Sequence, residues 1–445
     1  MVLHDEEGQA WLVRFVVLSR PGLAPVFLVH RVEVGPIAHL RQRGRWGSTS
    51  GASLCARFWP FCRAWAEGSP SFLIMKTLTR VRRGRLLGGA VATLCAMALA
   101  VAVPSPASAA PPVPTPAQLP ALNSHGITAT WNDNTGTAGV GTAEMHTSEV
   151  YVGGSQVTLR VNIWFPPNYS PSGAAVPVAY VLHGGNGKYS DILASNYGDL
   201  LSYIGNTNFN GIIVMPEGGR SGWYQNWAAN TRGGFRPQWE NFHIGQLVPW
   251  VDANFNTLKD RTKRYVAGIS MGGYGALKYA TRHNHIFGSV ASISGGGTIY
   301  GEEAMNTIDH ALVTFGSAVE LEGYPWTPNW NNHQLPATFK EERLPLVFGP
   351  MSGWDEYSPI KKLDKFPAYD NRIWLYSGTA ETNNNNWTVA LHNALYKPDT
   401  RHQFCQGGGG HDWPEFKKAL EHFLNSANRT SFIGCPGGWN WIDPQ

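Results

Sequence analysis

The sequence predicts an α/β protein with a mostly parallel central sheet covered by helices on both faces. Three observations predict it. Short apolar runs (Val178–Leu182, Ile212–Met215, Tyr265–Ile269, Val290–Ile293 and Ile373–Tyr376) have the length and composition of strands buried on both sides. Helical stretches such as Trp239–Phe255 and Gly275–His283 separate them, and strand–helix alternation is how parallel βαβ units are written. One strand end, Arg264-Tyr265-Val266-Ala267, also runs through a glycine-flanked serine directly into the helix opening Gly272-Gly273-Tyr274-Gly275-Ala276-Leu277.

The composition suits such a core. Of 445 residues, 43% are hydrophobic and 15% charged, and 18 Trp argue against a disordered chain. The formal charge of +4 is unevenly spread. Residues 1–110 hold thirteen Lys/Arg against five Asp/Glu, a net of +8, which leaves −4 for residues 111–445. A mildly acidic body offers no attraction to nucleic acid or to an anionic membrane, so neither is expected as a partner.

In chain order, residues 1–74 show no clean hydrophobic period and carry scattered Arg41, Arg43 and Arg45; they read as an over-long start with no assigned function. Met75 opens a different pattern. Lys76, Arg80, Arg82, Arg83 and Arg85 form a basic stretch, Leu86–Val103 is apolar, and Ala107-Ser108-Ala109 is a small-residue cleavage site. Residues 75–110 are therefore predicted to be a signal peptide, and the mature protein to be secreted, extracellular or associated with the cell wall. The apolar run is barely long enough to span a bilayer, so stable membrane insertion is not expected. Cys55, Cys62 and Cys95 precede the cleavage point. The remaining Cys405 and Cys435 are predicted to form one disulfide, tying the segment before His411 to the tail 431–445. Breaking it is expected to disturb His411.

Residues 111–147 read as a leader and N-terminal segment, Pro/Ala-rich and without periodicity to about 125. The main domain is predicted over 148–430, as a monomer. The alternation Val157, Leu159, Val161, Ile163, Phe165 marks a half-buried strand ending at Pro166-Pro167. Between about 295 and 370 the alternation breaks down around Pro325-Trp326-Thr327-Pro328-Asn329-Trp330. That stretch is predicted to be an insertion over the active-site edge, not a second domain.

The chemistry centres on Gly268-Ile269-Ser270-Met271-Gly272. With 50 glycines in the chain a Gly-x-Ser-x-Gly match is weak by itself, but here a strand precedes it and a helix follows. A strand–turn–helix elbow needs small neighbours beside its serine because the backbone is strained and closely packed, so Ser270 is the candidate nucleophile of an α/β-hydrolase fold. In that fold the acid and then the histidine follow the serine. His411, in Gly407-Gly408-Gly409-Gly410-His411-Asp412-Trp413, falls between a last strand near Arg401–Cys405 and a helix near Pro414–Leu424, where a loop histidine reaches the serine. Glu381 is the one carboxylate between Asp370 and Asp399 and follows the strand Ile373–Tyr376, with Asp412 as the substitute acid. The oxyanion hole is assigned to the backbone N–H groups of Met271 and of Gly185, in His183-Gly184-Gly185-Asn186-Gly187. No metal-ligand spacing, P-loop or dinucleotide fingerprint is present, so neither metal nor cofactor is expected.

These motifs resemble those of the antigen 85 mycolyltransferases and the wider secreted esterase family that includes feruloyl esterases. The likeness covers most of 148–425. It includes Met215-Pro216-Glu217-Gly218-Gly219-Arg220-Ser221-Gly222-Trp223-Tyr224-Gln225-Asn226-Trp227, the helix start Trp239-Glu240-Asn241-Phe242, the serine elbow, and Arg372-Ile373-Trp374-Leu375-Tyr376-Ser377-Gly378-Thr379. The run Gly408-Gly409-Gly410-His411-Asp412 is closer to the feruloyl-esterase branch. The resemblance implies Ser270 as nucleophile, Glu381 as acid and His411 as base. It departs in the oxyanion loop: His183 and Asn186 stand where the mycolyltransferases have an Asp and an Arg that help hold trehalose. A secreted serine carboxylic-ester hydrolase is the leading expectation, with an acylated small molecule, lipid or carbohydrate as substrate. An acyltransferase that passes a fatty or mycolic acyl group to trehalose, another sugar or diacylglycerol is the second. A non-catalytic carbohydrate-binding or adhesion protein on a hydrolase scaffold is the third.

Overall fold

Successive side chains of a strand point to opposite faces, and in a computed structural model of this chain both faces are buried. Val178, Tyr180 and Leu182 enter one apolar cluster while Ala179 and Val181 enter another. In the next strands Ile212 and Val214 oppose Ile213 and Met215, and Val266 opposes Tyr265 and Ala267. A sheet buried on both faces needs helices on both, which is why these runs read as continuous hydrophobics and not as an alternating pattern. The structure describes residues 2–4, 10–18, 26–33, 113–152, 155–230, 236–315, 340–397, 400–429 and 431–443.

The chain divides into two units, residues 1–100 and 101–445. In the first, Val2–His4, Ala10–Leu18 and Val26–Glu33 form an antiparallel three-stranded sheet, with Leu18 paired to Val26. The predicted signal peptide and its cleavage site lie outside the described residues.

The second unit holds a ten-stranded open sheet. Its strands are β1 (Ile127–Asn132), β2 (Val140–Thr147), β3 (Leu159–Trp164), β4 (Val178–Leu182), β5 (Ile212–Pro216), β6 (Arg264–Ile269), β7 (Ser289–Ile293), β8 (Ile373–Gly378), β9 (Gln403–Gly407) and β10 (Asn440–Trp441). Their spatial order is β10-β9-β8-β7-β6-β4-β5-β3-β2-β1. The six strands from β5 to β9 in that order are parallel, and the flanking pairs are antiparallel. With helices on both faces this is the α/β-hydrolase architecture that the sequence predicts. β1 and β2 lie within 111–147, so the sheet begins earlier than residue 148. Their alternation is interrupted by polar residues (Thr128, Thr130, Glu144) because these edge strands bury one face only.

On one face of the sheet pack a helix over 239–254, which opens with widened π-type turns (Asn241–Leu247) before α1 (Val248–Asn254), then α2 (Met271–Arg282) and α5 (Asn383–Tyr396). α6 (Trp413–Ser426) covers the other through Phe416, Leu420 and Phe423. The stretch expected as an insertion contains α3 (Glu302–Phe315) and α4 (Lys340–Phe348), joined by Arg343 to Asp309 at 2.6 and 2.7 Å. Ile308, Leu312, Leu344 and Phe348 of these helices belong to the same core cluster as the sheet, so the stretch is built into the body. The run Pro325–Trp330 lies outside the described residues.

Cys405 and Cys435 are joined by a disulfide. Cys405 lies inside β9, opposite Trp441 of β10, and is fully buried. No helix among the described residues is long and apolar enough to cross a membrane.

Candidate active site

β4 and β6 are neighbours whose C-terminal ends face the same crevice, the position where parallel α/β sheets receive ligands. At the end of β6 the chain reverses into α2 at Ser270, which adopts φ 56° and ψ −120°. A non-glycine residue there is strained, and the strain lifts the side chain clear of the sheet. The turn closes because its flanks carry no side chains: a Cβ on Gly268 would lie 2.0 Å from the carbonyl oxygen of Gly272, and one on Gly272 would lie 2.3 Å from that of Leu182. The Ser270 N–H donates to the Ile293 carbonyl at 2.8 Å, which pins the turn to β7.

His411 and Glu381 reach the serine from the ends of β9 and β8. His411 Nε2 is 2.8 Å from Ser270 Oγ, and His411 Nδ1 is 2.8 Å from Glu381 Oε2. The Glu381 side chain is 1% exposed and that of His411 is 37% exposed, so the acid is shielded while the imidazole faces the crevice. The other carboxylate oxygen, Glu381 Oε1, accepts from Ser294 Oγ and from the Gly378 N–H, both at 2.6 Å. Hydrogen bonds to the ionised form favour it, and with both oxygens held the carboxylate has one orientation. The glycine-rich loop before His411 is restrained locally: the Ala380 N–H donates to the Gly409 carbonyl at 3.1 Å, the Asn384 amide lies 2.9 Å from His411 Nδ1, and Phe416 packs edge-on against the imidazole. Asp412, the substitute acid, instead caps α6 by accepting from the Glu415 N–H.

Met271 is the first residue of α2, so its N–H is among those with no partner inside the helix. Gly185 lies across the crevice from it, and both line one cavity of about 310 Å³ with Ser270 and His411. The two residues after Gly185 have their N–H groups committed elsewhere, Asn186 to the Arg220 carbonyl and Gly187 to the Gly184 carbonyl. Trp223, Tyr274, Ile308, Ala311 and Trp387 supply most of the cavity's apolar wall, and two of them stand on α3. The chemical capacity of this arrangement is nucleophilic attack on a carbonyl carbon whose substituent is apolar and compact.

His183 is 1% exposed and is not among the residues that line the cavity. Its Nε2 accepts the Gly218 N–H at 2.9 Å, its Nδ1 lies 2.8 Å from the Gly184 carbonyl, and its own carbonyl accepts from the Tyr224 hydroxyl at 2.8 Å. Glu217, also buried, accepts the Gly219 N–H. The segment Glu217–Tyr224 thus braces the oxyanion loop from behind. Asn186 pairs with Arg220 at 3.1 Å.

Ser294, Asn384 and this bracing set did not emerge from the sequence. Ser294 carries no charge and stands in Ser294-Gly295-Gly296-Gly297 after β7, which resembles an ordinary turn. Among the described residues, no group of three or more His, Cys, Asp or Glu side chains could hold a metal ion.

The family model named Esterase matches residues 155–426 of the chain. Esterase Rv1288 of Mycobacterium tuberculosis is 32% identical over 222 residues, 49% of this chain and 42% of that protein. The diacylglycerol acyltransferase/mycolyltransferase Ag85C of Mycobacterium leprae is 27% identical over 176 residues, 38% of this chain and 45% of that protein. The chain therefore aligns with less than half the length of either relative. Among solved structures, the fluorophosphonate-binding serine hydrolase FphF of Staphylococcus aureus matches 68% of this chain at 16% identity and a TM-score of 0.48.

Proposed function

The chain belongs to the esterase family, and on that premise we propose that it is a secreted serine esterase that hydrolyses carboxylic esters through an acyl-enzyme on Ser270. The observation that carries this reading is the unbroken line of hydrogen-bond distances from Ser270 Oγ through His411 to Glu381 at the mouth of an apolar cavity.

In the proposed reaction Ser270 Oγ bonds to the ester carbonyl carbon as its proton passes to His411 Nε2. The carbonyl electrons move onto the oxygen, which the N–H groups of Met271 and Gly185 receive, with the positive end of α2 behind them. Glu381 holds the imidazole in the tautomer with hydrogen on Nδ1 and stabilises its charged form. Collapse breaks the carbon–oxygen bond to the alcohol, which leaves with the proton from His411. Water then gives its proton to the same nitrogen and attacks the acyl carbon; collapse frees the acid and returns hydrogen to Ser270. A cavity of about 310 Å³ is at the small end of ligand pockets, which favours a short or aromatic acyl group over a long lipid chain.

The test is release of p-nitrophenol from p-nitrophenyl acetate, butyrate and octanoate. Turnover highest with acetate or butyrate is expected, and no release above buffer would end the reading. The likeness to proteins named mycolyltransferases motivates a second arm, in which a lipid ester is supplied with trehalose or diacylglycerol. Acylated acceptor in place of free acid would make the enzyme an acyltransferase. Sugar binding without turnover of any ester would favour a non-catalytic role.

A further inference from the structure

A second cavity, of about 420 Å³, opens at the other end of the sheet from Ser270. Asn371 stands just before β8, Thr400 to His402 stand just before β9, and Trp441 to Asp443 run antiparallel to β9 towards the same end. Glu381 and His411 follow the far ends of β8 and β9. The six residues of β8, at about 3.3 Å each, separate the two sites by roughly 20 Å. α5 forms a wall of both: Asn384 and Trp387 face the serine cavity, while His392 and Tyr396 face this one.

The lining specifies a ligand. Thr400 is 6% exposed and its hydroxyl is buried with no hydrogen-bond partner; Asn371 Oδ1 is buried in the same condition. Buried polar atoms in folded proteins are nearly always partnered, so two on one cavity wall indicate groups that the cavity is shaped to receive. At the rim, Tyr396 is 63% exposed and Trp441 46% exposed, large aromatic faces left in solvent, with Phe432 edge-on to Trp441. Charge gives little selection. Arg401 and Asp443 offset one another, and burial holds His392 and His402, whose ring nitrogens lie 2.6 Å apart, towards their neutral forms. The complementary molecule is uncharged, has one apolar face to lie on an aromatic ring, and has hydroxyls around its edge.

We propose that this cavity is a second binding site, for a neutral pyranose sugar stacked on Trp441 or Tyr396 with its hydroxyls bonded to Asn371 and Thr400. It would let the protein hold a carbohydrate without occupying the serine crevice.

The experiment uses the full chain carrying Ser270→Ala, to prevent turnover, with xylotetraose, cellotetraose and trehalose as probes, read by calorimetry and tryptophan fluorescence. At least one sugar is expected to bind with a Kd of about 1 mM or tighter. Trp441→Ala should weaken it by about tenfold. Thr400→Val, which removes the unpartnered hydroxyl and keeps the shape, should weaken it by about fivefold while Tm holds or rises. Binding should also survive a phosphonate attached to Ser270 in the otherwise unaltered protein. Failure of all three sugars, leaving water as the only occupant, would overturn the proposal. Undiminished binding in both variants would overturn it too, as would competition by the phosphonate or a marked fall in Tm with Thr400→Val.

Discussion

Ser270 combines two demands in one residue: an oxygen within reach of His411, and a backbone conformation that side chains seldom adopt. Alanine has the same Cβ, so Ser270→Ala should fold with an unchanged Tm while ester turnover falls by about a millionfold. A purified variant that keeps more than a tenth of the parental rate would remove Ser270 from the mechanism. Glycine relieves the strain, so Ser270→Gly should be more stable than Ser270→Ala by about 1 kcal/mol in urea unfolding. A second residue-scale prediction concerns Glu240, within 2.9 Å of buried Lys278, 2.7 Å of Arg282 and 2.6 Å of His283. Burial by itself would raise its pKa, but these basic neighbours hold the carboxyl well below its ordinary 4.5. A carboxyl with a depressed folded pKa contributes stability above pH 4.5 and loses it as pH falls towards the folded value. Glu240→Gln should therefore flatten the loss of stability below pH 4.5. At neutral pH it should cost about 3–5 kcal/mol, because Lys278 is left buried without its carboxylate. Burial already pushes the Lys278 ammonium down to about 8. Parallel acid limbs in the two proteins would contradict the assignment.

At the scale of elements, the disulfide and the histidine loop prove separable. The sequence suggests that the Cys405–Cys435 bridge holds His411, since four glycines stand between Cys405 and His411 without intrinsic stiffness. In the folded chain Cys405 is fixed inside β9 by β8 and β10, and the loop has its own restraints in Ala380, Asn384 and Phe416. Cys435→Ser should therefore lower stability, by roughly 3–4 kcal/mol for a loop of about thirty residues. Turnover below the melting transition should stay within about twofold of the parent. A large fall in kcat at unchanged fold would restore the link to His411. α3 is where acyl selectivity belongs. Ala311 lies on the cavity wall and is 7% exposed, so Ala311→Leu should narrow the pocket and reduce kcat/KM for p-nitrophenyl octanoate by about tenfold relative to acetate. Equal loss on both esters would place the acyl group elsewhere.

For the whole molecule, the boundary between the two units falls at residue 100, within the predicted signal peptide. If that peptide is cleaved, N-terminal sequencing of protein recovered from the medium should begin at Ala110 or Pro111, and recovery of material containing residues 1–74 would contradict the reading. A chain that starts at Pro111 keeps every strand of the ten-stranded sheet, and its ester turnover should match that of the full chain.

What the sequence by itself determined is the part written in local pattern. Continuous apolar runs can be buried only as central strands, and Gly268 and Gly272 flank a serine at a strand-to-helix turn where no Cβ fits. The order of serine, acid and histidine along the chain follows from strand order. β1 and β2 escaped because edge strands bury one face and carry polar residues on the other. Tertiary structure alone decided the partners that sit far apart in sequence: Ser294 on Glu381, Asn384 beside His411, and Glu217–Tyr224 behind the oxyanion loop. It also buried His183, which the sequence places in the oxyanion loop but cannot orient. A hydrogen bond between distant segments depends on where strand ends converge, and composition and periodicity carry no record of that convergence.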